Sequence, residues 1–213
     1  MPVKQDVAKQ DRLLNAILAR VPQKGWTELA VAAAVKDSRL SVDEGKRLFA
    51  AGIKDVIRAF EDKTDQAVRQ KIRANRRFAA MRVRDKVTFG VRARLEFLAE
   101  HRAAVQRLVV WYALPTHLPH AVAHLWHVAD FIWGEAGDTS TDYNRYTKRL
   151  LLAAVFKATL IFWLNDISPD YRETWAFLDR RIADAMALGK GASAVKAIGL
   201  GNIVKFMRGK MTA

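Results

Sequence analysis

The chain has 213 residues, no cysteine and a formal net charge of +14. That length suits one domain, or one domain with a small appended head, and is enough to bury a core; the lack of cysteine excludes a disulfide framework and thiolate chemistry. The charge is uneven: residues 1–110 hold 24 Lys/Arg against 13 Asp/Glu, and residues 111–213 hold 12 against 9. Such asymmetry favours an anionic partner, either nucleic acid or an acidic membrane face.

The start, Met1-Pro2-Val3-Lys4-Gln5-Asp6, lacks the apolar core of a secretory signal, and Asp6 and Asp11 argue against a mitochondrial transit peptide. It reads as a complete bacterial, cytosolic chain. No segment alternates every second residue between turn signals, so strands are not expected. The apolar spacing predicts helices near 4–20, 27–36, 41–48, 53–73, 78–99, 102–113, 117–135, 142–165, 169–187 and 193–210. Pro22, Pro115, Pro119 and Pro169 are expected to mark helix starts or stops.

The first three helices are short, and a Lys36-Asp37-Ser38 turn separates the second from the third, spacing that suits a helix-turn-helix. A longer bundle follows. The expected fold is therefore all-α and resembles the TetR-type regulator architecture, a small head on a ligand-binding bundle. Its expected segments are a head at 1–50, the bundle at 51–188 and an amphipathic tail at 189–213. The third helix, Ser-Val-Asp-Glu-Gly-Lys-Arg-Leu, is a poor reader of DNA. Asp43 and Glu44 would face phosphate with the wrong sign, Gly45 costs ~1 kcal/mol of helix stability relative to Ala, and Lys46 and Arg47 come late. Specific DNA binding is accordingly not expected, since charge alone gives only nonspecific affinity.

Between Arg69 and Arg94 there are ten basic residues and one acid, Asp85. A cluster of this density suits anionic lipid headgroups, and equally a solvated helix face with counterions. On the seventh helix, His120, His124 and His127 share one face, with His117 before them. Three imidazoles could hold a zinc and a water, as in a zinc hydrolase. No carboxylate falls at a matching position, however, because Asp130 and Glu135 lie further along, so histidines with backbone or water partners are the plainer reading. No nucleophile elbow, phosphate-cradling Gly loop or paired Glu-x-x-His set is present. The chain is not expected to be an enzyme or to hold a cofactor.

Leu98, Leu108, Trp111, Leu118, Val122, Leu125, Trp126, Leu152, Phe156, Leu160 and Trp163 are the candidate lining of a lipid cavity; by spacing alone they equally make an ordinary core. The run Leu150 to Leu164 is interrupted only by Lys157 and Thr159. As a helix it reaches ~22 Å, short of a bilayer core of ~30 Å. A helix apolar on most faces must be covered on most faces. Residues 145–187 are therefore expected to form a homodimer interface as well as core, as in TetR-like folds.

The segment around this helix carries a further resemblance. Gly137-Asp138, Ser140-Thr141-Asp142, Asn144, Tyr146-Thr147 and Arg149, then Asp166, Ser168-Pro169-Asp170, Thr174-Trp175, Phe177-Leu178, Arg181 and Asp184-Ala185-Met186 resemble the ubiquinone (coenzyme Q) biosynthesis accessory protein family. Upstream, Phe49, Gly52 and Asp55-Val56-Ile57 fit its N-terminal half more loosely. The resemblance implies a TetR-like fold without catalysis, an isoprenoid lipid or quinone intermediate in the bundle cavity, and the demethoxyubiquinone hydroxylase as partner. It implies that Trp133, Gly137, Asp138, Ser140, Thr141, Asp142, Asn144 and Tyr146 contact that partner. Gly134 departs from the mitochondrial relatives, which carry a second aromatic there. Read for themselves, Asp138, Ser140, Thr141 or Asp142 can N-cap the helix beginning near 142. Ser168-Pro169-Asp170 is likewise a strong helix start.

From Gly189 the chain has five basic residues and no acids. Val195, Ile198, Ile203, Phe206 and Met207 cluster on one face of a helical projection, with Lys205 and Arg208 opposite. A cationic amphipathic segment of this kind can lie in a bilayer interface, the use the family resemblance also implies, at the cytoplasmic face of the inner membrane. A tail packed back on the bundle is the alternative. The expected function is thus lipid carriage in ubiquinone biosynthesis, with a ligand-responsive TetR-type repressor as the alternative.

Overall fold

The computed structural model describes residues 2–141 and 143–189, and among them every regular element is helical. Asp142, the predicted helix at 193–210 and the tail residues Val195, Ile198, Ile203, Lys205, Phe206, Met207 and Arg208 lie outside the described residues. The helices are α1 (Pro2–Lys24), α2 (Glu28–Asp37), α3 (Val42–Leu48), α4 (Ile53–Ala74), α5 (Val83–Leu98), α6 (Arg102–Ala113), α7 (Leu118–Glu135) and α8 (Tyr143–Asn165). The last described helix, α9, occupies 172–189. Short 3-10 turns at Phe78–Ala80, Ala99–His101, Pro115–His117 and Pro169–Tyr171 lead into the helices that follow them. The chain divides within α7 into two compact units, Met1–His124 and Leu125–Ala213.

In the first unit α1 places Leu13, Leu14, Ile17, Leu18 and Val21 in the core, at the spacing of one helical face. Trp26 is buried beside them; its indole Nε1 donates to the Ala104 carbonyl at 2.9 Å and its ring lies 5.8 Å from Phe60. One hydrogen bond and one aromatic contact thus tie the α1–α2 turn to α6 and α4. Between α4 and α5, the buried Arg94 guanidinium pairs with the buried Asp65. Removing one partner of such a pair leaves an uncompensated charge in the core.

The expectation that Pro22 ends the first helix is corrected. Pro22 sits inside α1, which continues to Lys24 and stops at Gly25, left-handed at φ +69°. A proline this close to the C-terminus forfeits a single intrahelical hydrogen bond, and the Gly25 amide closes the end on the Val21 carbonyl at 2.8 Å. The predicted helix 78–99 is also divided. Phe78 turns inward, 7% exposed and edge-on to Phe89, while Met81 and Arg82 are extended, so α5 begins only at Val83.

The head shows why α3 has its sequence. Ser41 and Glu44 form a reciprocal capping box: the Glu44 amide donates to Ser41 Oγ at 3.1 Å, and the Ser41 amide donates to the Glu44 carboxylate at 3.0 Å. Lys9 also donates to Glu44 at 2.9 Å. The Ser41 amide and then Lys9 hold the Glu44 carboxyl down at about 2. Gly45 is a packing requirement as well as a cost in helix propensity: a Cβ there would stand 2.6 Å from Val35 Cγ2, so its absence lets α3 approach α2. The turn between them passes through Arg39 at φ +54°, with the Leu40 amide reaching back to the Val35 carbonyl.

Candidate functional site

The candidate site is built at the end of α7. The helix closes with a two-bond cap, the Asp138 amide donating to the Trp133 carbonyl and the Gly137 amide to Gly134, both at 3.0 Å. Gly137 takes φ +86°, where side chains bearing a Cβ are disfavoured, which explains a glycine at this motif position. The cap turns the Asp138 side chain inward, to 5% exposure.

Asp138 is the centre of a charged network. One carboxylate oxygen accepts from Ser140 Oγ at 2.8 Å and Lys148 Nζ at 2.7 Å; the other accepts from Arg149 at 2.9 Å. Lys148 also donates to Ser140 Oγ at 2.7 Å and stands over the Trp133 ring, whose Nε1 donates to the Lys148 carbonyl at 3.1 Å. Arg149, itself buried, pairs additionally with Asp130, which Arg145 also contacts at 3.1 Å. Burial works against the Asp138 charge, but the Lys148, Arg149 and Ser140 hydrogen bonds prevail and hold its carboxyl far below the usual range. Burial likewise opposes the Arg149 charge, and Asp130 and Asp138 overcome it. The expectation that Asp138 or Ser140 serves as an N-cap is therefore revised: both fasten the loop to the first turns of α8. The motif pattern does not single out Asp130 and Arg145, although two acids and three bases flanking two apolar helices are a visible signal.

This network sorts the candidate contact residues. Trp133 and Asp138 face inward, and Ser140 is half-buried. Gly137, Thr141 and Asn144 are exposed, and Tyr146 is 59% exposed with its ring 6.0 Å from Trp126. Among its described residues the loop is thus pinned from beneath and presents a polar surface with the large aromatic Tyr146.

The second motif loop is organised by Asp166. Its carboxylate accepts from the Ser168 amide at 2.8 Å, the Thr174 amide at 2.8 Å and the Thr174 hydroxyl at 2.5 Å. Burial would raise its carboxyl, but these hydrogen bonds bring it to about 2. Ser168 takes part as expected, accepting from the Glu173 amide at 3.2 Å, while Pro169 opens a 3-10 turn before α9. Beside this loop a groove of about 530 Å³ runs between α8 and α9, lined by Ala158, Ile161, Phe162 and Phe177 among others, with Ile167 97% exposed. Phe162 and Phe177 stack at 4.5 Å.

The candidate lipid-lining residues fall on both units. In the first, Leu98 and Leu108 are buried, Trp111 is half-buried, and Leu118 and Val122 are exposed at 51% and 67%. In the second, Leu152, Phe156 and Trp163 are buried, and Leu125, Trp126 and Leu160 are half-buried. None of them lines the α8–α9 groove, nor the groove of about 940 Å³ that α1 and α4 form in the first unit.

The histidines have individual roles. His117 stacks on Trp111 at 3.6 Å, with Nδ1 2.9 Å from that residue's carbonyl oxygen. His124 Nδ1 lies 2.6 Å from Glu61, which also accepts from the Tyr112 hydroxyl at 2.6 Å. Burial pushes the Glu61 carboxyl up, and the His124 and Tyr112 interactions bring it below its ordinary value. His120 and His127 are exposed, and no metal-ligand grouping occurs among the described residues.

The COQ9 family model matches residues 118–189, the span that holds this loop network. The chain is 32% identical to the rat "Ubiquinone biosynthesis protein COQ9, mitochondrial" over 89% of its own length and 62% of that protein's. The human protein of the same name is also 32% identical, over 89% of this chain and 61% of the relative. The chain therefore spans about three fifths of the curated relatives it matches. A crystal structure of a TetR transcriptional regulator from Nitrosomonas europaea ATCC 19718 superposes with a TM-score of 0.65 at 19% identity, covering 83% of this chain and 97% of that one, a likeness of fold alone. The resemblance read from Gly137-Asp138 through Met186 is thereby borne out: residues 118–189 match the COQ9 family model, within a chain of TetR-like helical fold.

Proposed function

We propose that this protein is a non-enzymatic lipid-binding accessory protein of ubiquinone biosynthesis, which takes isoprenoid quinone intermediates from the membrane and presents them to the demethoxyubiquinone hydroxylase. The observation that carries the reading is the similarity to ubiquinone biosynthesis proteins over 89% of the chain, with the motif residues Asp138 and Arg149 tied into one loop network. The Asp138–Lys148–Arg149 network holds that loop, and Gly137, Thr141, Asn144 and Tyr146 form its outward surface. A pinned loop beside the exposed aromatic Tyr146 suits a docking surface, because little side-chain and backbone freedom is lost on contact. The lipid would lie against apolar side chains of the protein, removing its chain from water. The basic tail would keep the protein at the membrane surface; no helix among the described residues is long and apolar enough to cross a bilayer. A homodimer would cover Leu150, Ile161 and Ile167, which are 66%, 45% and 97% exposed.

The test is incubation with liposomes carrying a ubiquinone precursor, followed by native mass spectrometry and lipid extraction. A quinone intermediate retained on a dimer supports the reading. A protein that carries no isoprenoid and instead shifts one DNA sequence in preference to others contradicts it and favours the repressor alternative.

A further inference from the structure

The α4–α5 turn carries the most concentrated charge in the molecule. From Arg69 to Lys86 there are eight basic residues and a single acid, Asp85. The structure separates this cluster from the rest of the basic tract. Arg94 is buried on Asp65, and Lys71 and Arg92 share Glu96 at 2.5 and 2.8 Å. Asp85, the only acid of the turn, is taken by Arg82. Arg73, Arg76 and Arg77 are exposed, and among the described residues no carboxylate pairs with them.

The backbone beneath these charges is fixed. Phe78 is anchored in the core and edge-on to Phe89, Lys86 lies over the Phe78 ring, and the Arg77 amide donates to Asn75 Oδ1 at 3.1 Å. The turn also exposes apolar groups among the cations: Ala79 and Ala80 are exposed, Met81 is half-exposed and Val83 is 51% exposed. Cations around exposed apolar side chains match an anionic bilayer, where headgroups neutralise the charge and the interface accepts the apolar groups. Exposed Ala79, Ala80, Met81 and Val83 give a bilayer interface apolar contact that binding through nucleic-acid phosphates does not use.

We infer that the α4–α5 turn is a second membrane-contact surface, specific for anionic lipid headgroups and independent of the tail and of any lipid the protein carries. The experiment is vesicle co-sedimentation of the full chain with phosphatidylcholine vesicles, with and without phosphatidylglycerol. The Arg73→Glu/Arg76→Glu/Arg77→Glu variant is compared with Lys36→Glu/Lys46→Glu/Lys54→Glu, which makes the same change in net charge at exposed sites of the same unit. The turn variant is expected to lose about tenfold or more of its partition into anionic vesicles, and the control much less. Val83→Asp should lower the partition too, with circular dichroism unchanged for all three. Equal losses in turn and control variants, or no loss in either, would overturn the inference. So would a turn variant that keeps its vesicle partition but loses salt-sensitive DNA binding, which would assign the surface to nucleic acid.

Discussion

Two turns of this molecule are rich in charge and use it in opposite ways. At the α7–α8 loop, Asp130, Asp138, Arg145, Lys148 and Arg149 are engaged with one another, and Arg149 is 2% exposed. At the α4–α5 turn the cations outnumber their acids, and Arg73, Arg76 and Arg77 point to solvent. The first arrangement fixes a backbone shape; the second creates a surface field over a backbone fixed by Phe78. Charge density in a sequence therefore does not tell structure from recognition. The balance of signs within contact distance does.

The sharpest way to break this comparison is to open the first network. Arg149→Ala takes the guanidinium from Asp138, which keeps Lys148 and Ser140, and from Asp130, and should cost about 3 kcal/mol, read as a fall in the urea midpoint at unchanged m-value. Next comes Gly45→Ala, a steric test with no charge involved. The added methyl meets Val35 at 2.6 Å and should destabilise by about 1–3 kcal/mol, whereas propensity alone predicts a gain. A third test uses pH. The Asp166 carboxyl is depressed to about 2 by Ser168 and Thr174, so its stabilisation is complete above the unfolded value near 4. It is lost as pH falls from about 4 through about 2, and Asp166→Asn should flatten the acid limb of a thermal melt in that window. The smallest effect is expected at the second turn: Arg73→Glu/Arg76→Glu/Arg77→Glu should shift stability by no more than about 0.5 kcal/mol per site, since no ion pair among the described residues is lost.

Much of the fold was legible because periodic apolar spacing and strong stop signals agree. The Leu150–Leu164 run lies within α8 as expected, and α2, α3 and α6 lie within a residue or two of their predicted bounds. Departures arise where a local rule meets a tertiary requirement. Pro22 marks a boundary by local rule, but the true stop is the left-handed Gly25. Gly45 is a cost by helix propensity, but the distance to Val35 makes it a requirement. Asp138 was visible as a motif residue, yet its ties to Lys148 and Arg149 depend on how α7 and α8 lie side by side, which spacing along the chain does not encode. Asp166 was seen as a motif member, but its capping of Thr174 across eight residues was not.

The central claim for the candidate site is that the network supports a docking surface whose outward face, chiefly Tyr146, makes the contact. Titration calorimetry of the demethoxyubiquinone hydroxylase from the same organism against the wild-type chain and Tyr146→Ala tests this directly. The account predicts that Tyr146→Ala weakens binding about tenfold or more, as for a central aromatic anchor, with the melting temperature unchanged. Unaltered affinity in a folded Tyr146→Ala protein would contradict it.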